Sequence, residues 1–143
     1  MRILLYCQHV LGIGHFFRSM EIARGLHRHE VLFVEGGDPL PGFVPPDHVR
    51  RLILPPLMMD SEFQTIQAFG RDPETVKEER RRLLMQSFLE FSPDVFITEL
   101  FPFGRKQFRY ELMPILHRIR DRHPSTMVVC SLRDILVEKK NQA

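Results

Sequence analysis

Apolar residues along the chain fall into short dense runs, separated by stretches in which they recur every third or fourth position. Arg2 to Cys7 is the first run and has strand length; Gln8 to His15 after it carries Gly12 and Gly14 before a helical period begins. Ser19, Ile22, Ala23 and Leu26 then stand at i, i+3, i+4 and i+7, one narrow face for packing on a sheet, which predicts a helix that stops near His27. Val31 to Val34 is a second strand, closed by the turn residues Glu35-Gly36-Gly37-Asp38-Pro39. A third short strand is predicted at Leu52 to Leu54, inside a stretch where Pro45-Pro46 and Pro55-Pro56 exclude a helix interior.

After Leu57-Met58-Met59 the periodicity lapses until Asp72-Pro73-Glu74, where an acid, a proline at the first helical position and a second acid mark a helix start. Val76, Leu83, Leu84, Phe88 and Phe91 share one face of that helix, and Lys77, Glu78, Glu79, Arg81 and Arg82 form a solvated opposite face. Ser92-Pro93 ends it, and Asp94 to Thr98 is a fourth strand that leads into Glu99-Leu100-Phe101-Pro102-Phe103-Gly104. Phe108, Leu112, Ile115, Leu116 and Ile119 repeat at helical spacing, with Pro114 expected to kink that helix or divide it in two. Thr126 to Ser131 is a fifth strand. Strands alternating with helices imply right-handed crossovers. They predict a Rossmann-like α/β domain over residues 1–143, its parallel sheet in the order 3-2-1-4-5 with helices on both faces.

Composition narrows the class. The chain has 143 residues, 43% apolar and 27% charged, enough for one domain to bury a core without metal or disulfide staples. The apolar stretch from Ile3 to Phe17 is broken by Gln8, His9 and His15, which excludes a bilayer span and a signal peptide, so a cytoplasmic protein is expected. Cys7 and Cys130 lie within strand patterns and are expected to be buried free thiols, kept apart by strand four. The formal net charge is only +2 and the cations are mixed with acids, which argues against a nucleic-acid partner.

In an open parallel sheet, ligands bind at the carboxyl ends of the strands, at the switch point between strands one and four. The loops that meet there are Gln8 to His15 and Thr98 to Arg105. Gly12 and Gly14, opening a helix, would form an anion cradle. A dinucleotide fingerprint would need glycine where Phe17 stands. Glu35, at the end of strand two, keeps a nicotinamide or flavin site as the alternative. His15 sits in the first turn of the helix beside the cleft, where an imidazole can accept a proton near neutral pH. Glu99, ending strand four, is the natural acid to orient it, and His9 is a second candidate. Arg18 and Arg105 are placed to attract phosphate, whereas Lys106 and Arg109 read as solvated charge. Phe16, Phe17, Phe101 and Phe103 make the rim apolar, and about half of them are expected to pack inside. His27, His29, His48, His117 and His123 lack ligand spacing, so neither a metal nor a cofactor is expected.

Three segments carry a resemblance to a known group: Tyr6 to Arg18, Thr98 to Arg109, and Cys130 to Leu136. Together they resemble the N-terminal half of GT-B glycosyltransferases, in particular a bacterial group of predicted glycosyltransferases related to the lipid II N-acetylglucosaminyltransferase family. The resemblance implies two facing Rossmann-like domains, with this chain as the acceptor-side half and the C-terminal, donor-binding half absent. It further implies metal-independent, inverting transfer from a nucleotide-sugar donor to a hydroxyl acceptor. His15 would be the base, Glu99 its partner, and Gly12, Gly14, Arg18, His9, Phe103 and Arg105 would bind substrate. Alone, such a half is expected to be inactive; a non-catalytic subunit of a split enzyme is a further alternative, and peripheral membrane contact stays open.

Overall fold

The computed structural model describes residues 1–9, 13–59 and 66–132. Five strands form one parallel sheet: β1 (Arg2–Tyr6), β2 (Glu30–Glu35), β3 (Val49–Ile53), β6 (Val95–Glu99) and β7 (Met127–Ser131), in the order β3-β2-β1-β6-β7. This is the order expected from the alternation of elements. A short antiparallel pair, β4 (Met58–Met59) and β5 (Ile66–Gln67), stands outside the sheet in the segment where the periodicity lapses.

Helix α1 (Gly14–Gly25) covers one face, where Ile3, Leu5, Cys7, Val31 and Phe33 meet its buried Phe16, Met20 and Ala23. The helices α2 (Pro73–Phe91) and α3 (Arg109–Arg122) cover the other, where Leu4, Tyr6, Leu32, Val34 and Phe96 meet Val76, Leu84 and Phe88 of α2 and Leu112, Ile115 and Ile119 of α3. Strand residues therefore alternate between two apolar layers. This is why the strands read as continuous apolar runs and not as a polar alternation.

Local chemistry fixes the helix ends. The Asp72 carboxylate accepts from the backbone N–H of Thr75 at 2.9 Å, with Pro73 at the first helical position, and Ser92 closes α2 in a left-handed conformation (φ 48°), its N–H donating to the Phe88 carbonyl. Of the two outcomes expected at Pro114, a division of the helix does not occur: α3 runs through the proline as one helix, preceded by a 3-10 turn at Lys106–Phe108. The proline removes one donor near the start of the helix, and the anchors Leu112, Ile115 and Ile119 on either side stay buried. β3 lies earlier than the predicted Leu52 to Leu54, because Val49 faces the α1 layer while Leu54 is buried just beyond the strand.

Candidate active site

The carboxyl ends of β1 and β6, adjacent in the sheet, bring the first turn of α1 against the end of β6. There His15 Nδ1 lies 2.6 Å from Glu99 Oε1, with the imidazole 18% and the carboxylate 1% exposed. A carboxylate can only accept, so the proton of this bond resides on Nδ1, and a neutral ring then presents the Nε2 lone pair. Nε2 has no partner among the described residues and is not sealed from solvent. The other oxygen of Glu99 faces Arg105, whose Nε is 3.4 Å away.

The first turn of α1 is held from beneath by the Cys7 thiol, 3.5 Å from the His15 carbonyl oxygen. Burial pushes that thiol up to about 12, with Ser19 working the other way, so it stays protonated as a donor. Ile13 precedes the helix without a side-chain cap, and the first turn holds no acid. Its amides have no intrahelical acceptor and are suited to an anion. Gly14 has open space where a side chain would stand. Gly12 lies outside the described residues, so the cradle expected there has only its Gly14 side on view.

The remaining candidates separate. Arg18 reaches across to the end of β7, donating to the Leu132 carbonyl at 2.6 Å and to Ser131 Oγ at 3.3 Å. His9 is buried, its Nε2 2.8 Å from the Asp38 carbonyl and its ring edge-on to Phe16. Phe16 and Phe101 are buried, whereas Phe17 (45%) and Phe103 (59%) are exposed, as are Ile13 and Leu132. Both cysteines are free, but Cys130 is only partly buried. Glu35 is buried with both carboxylate oxygens held by Arg51, at 2.8 and 2.5 Å, so it is not open to a ribose. No group of three or more potential metal ligands occurs among the described residues, and no described helix is long and apolar enough to cross a membrane.

Sequence reading passed over Arg80. Its guanidinium, fully buried, donates to Glu111 through Nε (3.0 Å) and Nη2 (2.7 Å), to Gln8 Oε1 (2.6 Å), and to the carbonyls of Gly36 (3.2 Å) and Pro55 (2.7 Å). Tyr6 donates its phenol to the same Glu111 carboxylate, and burial raises that phenol well above its ordinary value. Burial opposes the charge on Arg80, but Glu111 beside it more than compensates and the direction is upward. This hub ties the segments after β1, β2 and β3 to α2 and α3, and so fixes the carboxyl edge of the sheet. The available signal was position: Arg80 falls four residues after Val76 and four before Leu84, on the apolar face.

Surface grooves lined by Tyr110, Met113 and His117, and by Met85, Leu89 and Pro114, run along α2 and α3 and contain neither His15 nor Glu99. No protein-family model and no curated protein matches this chain in sequence. Among solved structures, the apo form of UGT2 from Phytolacca americana is similar in fold, with a TM-score of 0.52 at 16% identity over 92% of this chain. The chain spans 29% of that protein's length, and the likeness is one of fold: an α/β, Rossmann-like sheet laid out as in part of UGT2.

Proposed function

We propose that this chain is the acceptor-binding, N-terminal half of an inverting, metal-independent glycosyltransferase of the GT-B class that uses a nucleotide-sugar donor. The observation that carries the reading is the 2.6 Å contact between His15 and the buried Glu99 at the carboxyl edge of the sheet, which leaves Nε2 without a partner among the described residues. Two things support it further: the fold likeness to UGT2, a GT-B glycosyltransferase, and the Glu99 to Arg105 segment, whose residues suggest kinship with the lipid II N-acetylglucosaminyltransferase group.

In this reading the acceptor hydroxyl hydrogen-bonds to Nε2. Its oxygen attacks the anomeric carbon, the bond to the nucleoside diphosphate breaks on the opposite face, and the proton passes to Nε2. Glu99 balances the imidazolium that forms. The open surface at Gly14 admits the diphosphate to the uncapped first turn of α1. The exposed Ile13, Phe17, Phe103 and Leu132 suit an acceptor with an apolar portion, met in the cytoplasm at or near a membrane surface. The donor comes from a second domain or subunit, without which the chain is inactive.

The test is turnover in an enzyme that joins this chain to a donor-binding half. His15→Ala is expected to lower kcat by roughly 10²–10⁴, and full turnover in that variant refutes the assignment. Thermal shift on the chain provides a second check, since a ligand stabilises the state it binds. A stronger shift with NADH than with nucleotide sugars would favour a dinucleotide site instead.

A further inference from the structure

We propose that Arg105 is a positioning residue for this site: it acts through Glu99, balancing the buried carboxylate so that His15 can remain uncharged with Nε2 open. The proposal rests on the reading of His15 as the proton acceptor and adds to it how that acceptor is kept ready. Sequence reasoning sends Arg105 toward substrate phosphate. The structure instead turns it inward, only 11% exposed, with Nε 3.4 Å from Glu99 Oε2, while His15 holds Oε1.

The backbone supports a dedicated placement. Leu100 (φ 64°) and Arg105 (φ 57°) both lie in the left-handed region that non-glycine residues rarely adopt, and they bracket the loop after β6. The Leu100 N–H donates to Ser131 on β7, and the Gly104 N–H closes back on the Leu100 carbonyl. The loop thus folds over the end of its own strand and returns the guanidinium to Glu99.

The consequence follows from charge balance. A buried carboxylate with an imidazole as its sole partner draws a proton onto the ring, since the ion pair is the cheaper way to keep a charge from water. That proton would occupy Nε2 and remove the acceptor. A guanidinium on the second oxygen satisfies the carboxylate permanently, so the cluster is neutral overall while the imidazole is uncharged. Among the described residues, the other groups around it do not supply this balance. The Cys7 thiol on β1 and the Cys130 thiol on β7 are both pushed upward by burial and stay neutral. Arg18 on α1 is directed to the end of β7, and Glu35 on β2 is paired with Arg51.

The test uses the chain alone and needs no sugar. Diethyl pyrocarbonate acylates the unprotonated imidazole nitrogen, and the rate at His15 is read by mass spectrometry. The buried His9 in the same tryptic peptide reports that the fold is intact. Arg105→Asn suits the left-handed backbone and cannot reach Glu99; Arg105→Gln is the second neutral variant should the first unfold. Either is expected to acylate about fivefold more slowly than the parent near pH 6.5 and equally fast near pH 8.5. Arg105→Lys is expected to recover at least half of the lost rate. Equal rates near pH 6.5, a slowing that persists near pH 8.5, or no recovery with lysine would each overturn the proposal. Those results leave the transfer reading standing, whereas that reading falls on retained turnover in His15→Ala, a measurement to which Arg105 is irrelevant.

Discussion

Replacing Arg80 by methionine tests how the edge of the sheet is held. The five N–H groups of the guanidinium meet five acceptors: two oxygens of Glu111, the Gln8 amide oxygen, and the carbonyls of Gly36 and Pro55. Methionine fills much of the volume but donates nothing. It leaves the buried Glu111 carboxylate with the Tyr6 phenol but no cation, and strips a partner from two carbonyls and an amide. Removing one member of a buried ion pair costs about 3–5 kcal/mol. That is a fifth or more of the roughly 5–15 kcal/mol that holds a domain together. At about 2–4 °C per kcal/mol for a chain near this size, Tm is expected to fall by roughly 6–20 °C. Arg80→Lys is expected to fall in between, because three donors on a point charge cannot serve a forked set of acceptors. In the double variant Arg80→Met/Glu111→Leu no unpaired charge remains, and a good part of the loss is expected to return. Urea and thermal unfolding of the parent, Arg80→Met, Glu111→Leu alone and the double variant give the coupling energy directly. A methionine variant within 2 °C of the parent, or a double variant no better than the single, would show that the cluster is not the clamp described.

Two further changes probe the layers around the site. Gly37→Ala would place its Cβ 2.0 Å from the His9 carbonyl oxygen, a backbone atom that cannot swing aside. The expected loss is on the order of 3 kcal/mol or more, and an alanine variant as stable as the parent would refute the close approach. Cys7 sets an alkaline limit. Its thiol, at 9.0 when unperturbed, is raised in the fold to about 12, chiefly by burial. The unfolded chain therefore loses that proton first. The stability linked to it is complete below pH 9 and drains away as pH climbs toward 12, by at most about 1.4 kcal/mol per pH unit. Between pH 8 and about pH 10.5 the parent is expected to lose roughly 2 kcal/mol more than Cys7→Ala in urea melts; equal losses refute the linkage.

The fold was legible because each layer wrote its own period. β1 and β2, buried on both faces, read as unbroken apolar runs, and the Asp72-Pro73 start and Ser92-Pro93 stop of α2 are local chemistry that the structure repeats atom by atom. The β4–β5 pair was not legible, since two-residue strands are too short to show an alternation. Nor was the continuity of α3, where packing of Leu112, Ile115 and Ile119 outweighs the donor lost at Pro114. At the site, the pairing of residue 15 with residue 99 was legible from topology, because β1 and β6 are neighbours wherever the order 3-2-1-4-5 holds. The direction of a long side chain was not. Arg18 and Arg105 are both close enough to the rim to serve a phosphate, and only the folded chain shows them turned to Leu132 and Glu99. Arg80 is the sharpest case: the sequence reading gave it no role, and only the acceptors at Gln8, Gly36, Pro55 and Glu111 brought around it show why a cation stands on the apolar face of α2.

Two of the buried acids among the described residues, Glu111 and Glu99, differ in a way that separates scaffold from chemistry. Glu111 and Arg80 satisfy each other and their neighbours completely, at 0% exposure for both side chains, and such a cluster has no capacity left for a ligand. Glu99 is as deeply buried, but one of its partners is an imidazole whose far nitrogen has no partner among the described residues. A fold that needed Glu99 only for cohesion would gain more from a second guanidinium or a backbone amide, either of which would close the network. Holding a titratable ring there, at the mouth formed by β1 and β6 and beside an uncapped helix start, keeps one polar atom available at the one edge of the sheet that Arg80 has already made rigid. That combination of a fixed frame with a single open acceptor is what proton transfer requires, and it sets the His15 side of the molecule apart from its grooves along α2 and α3.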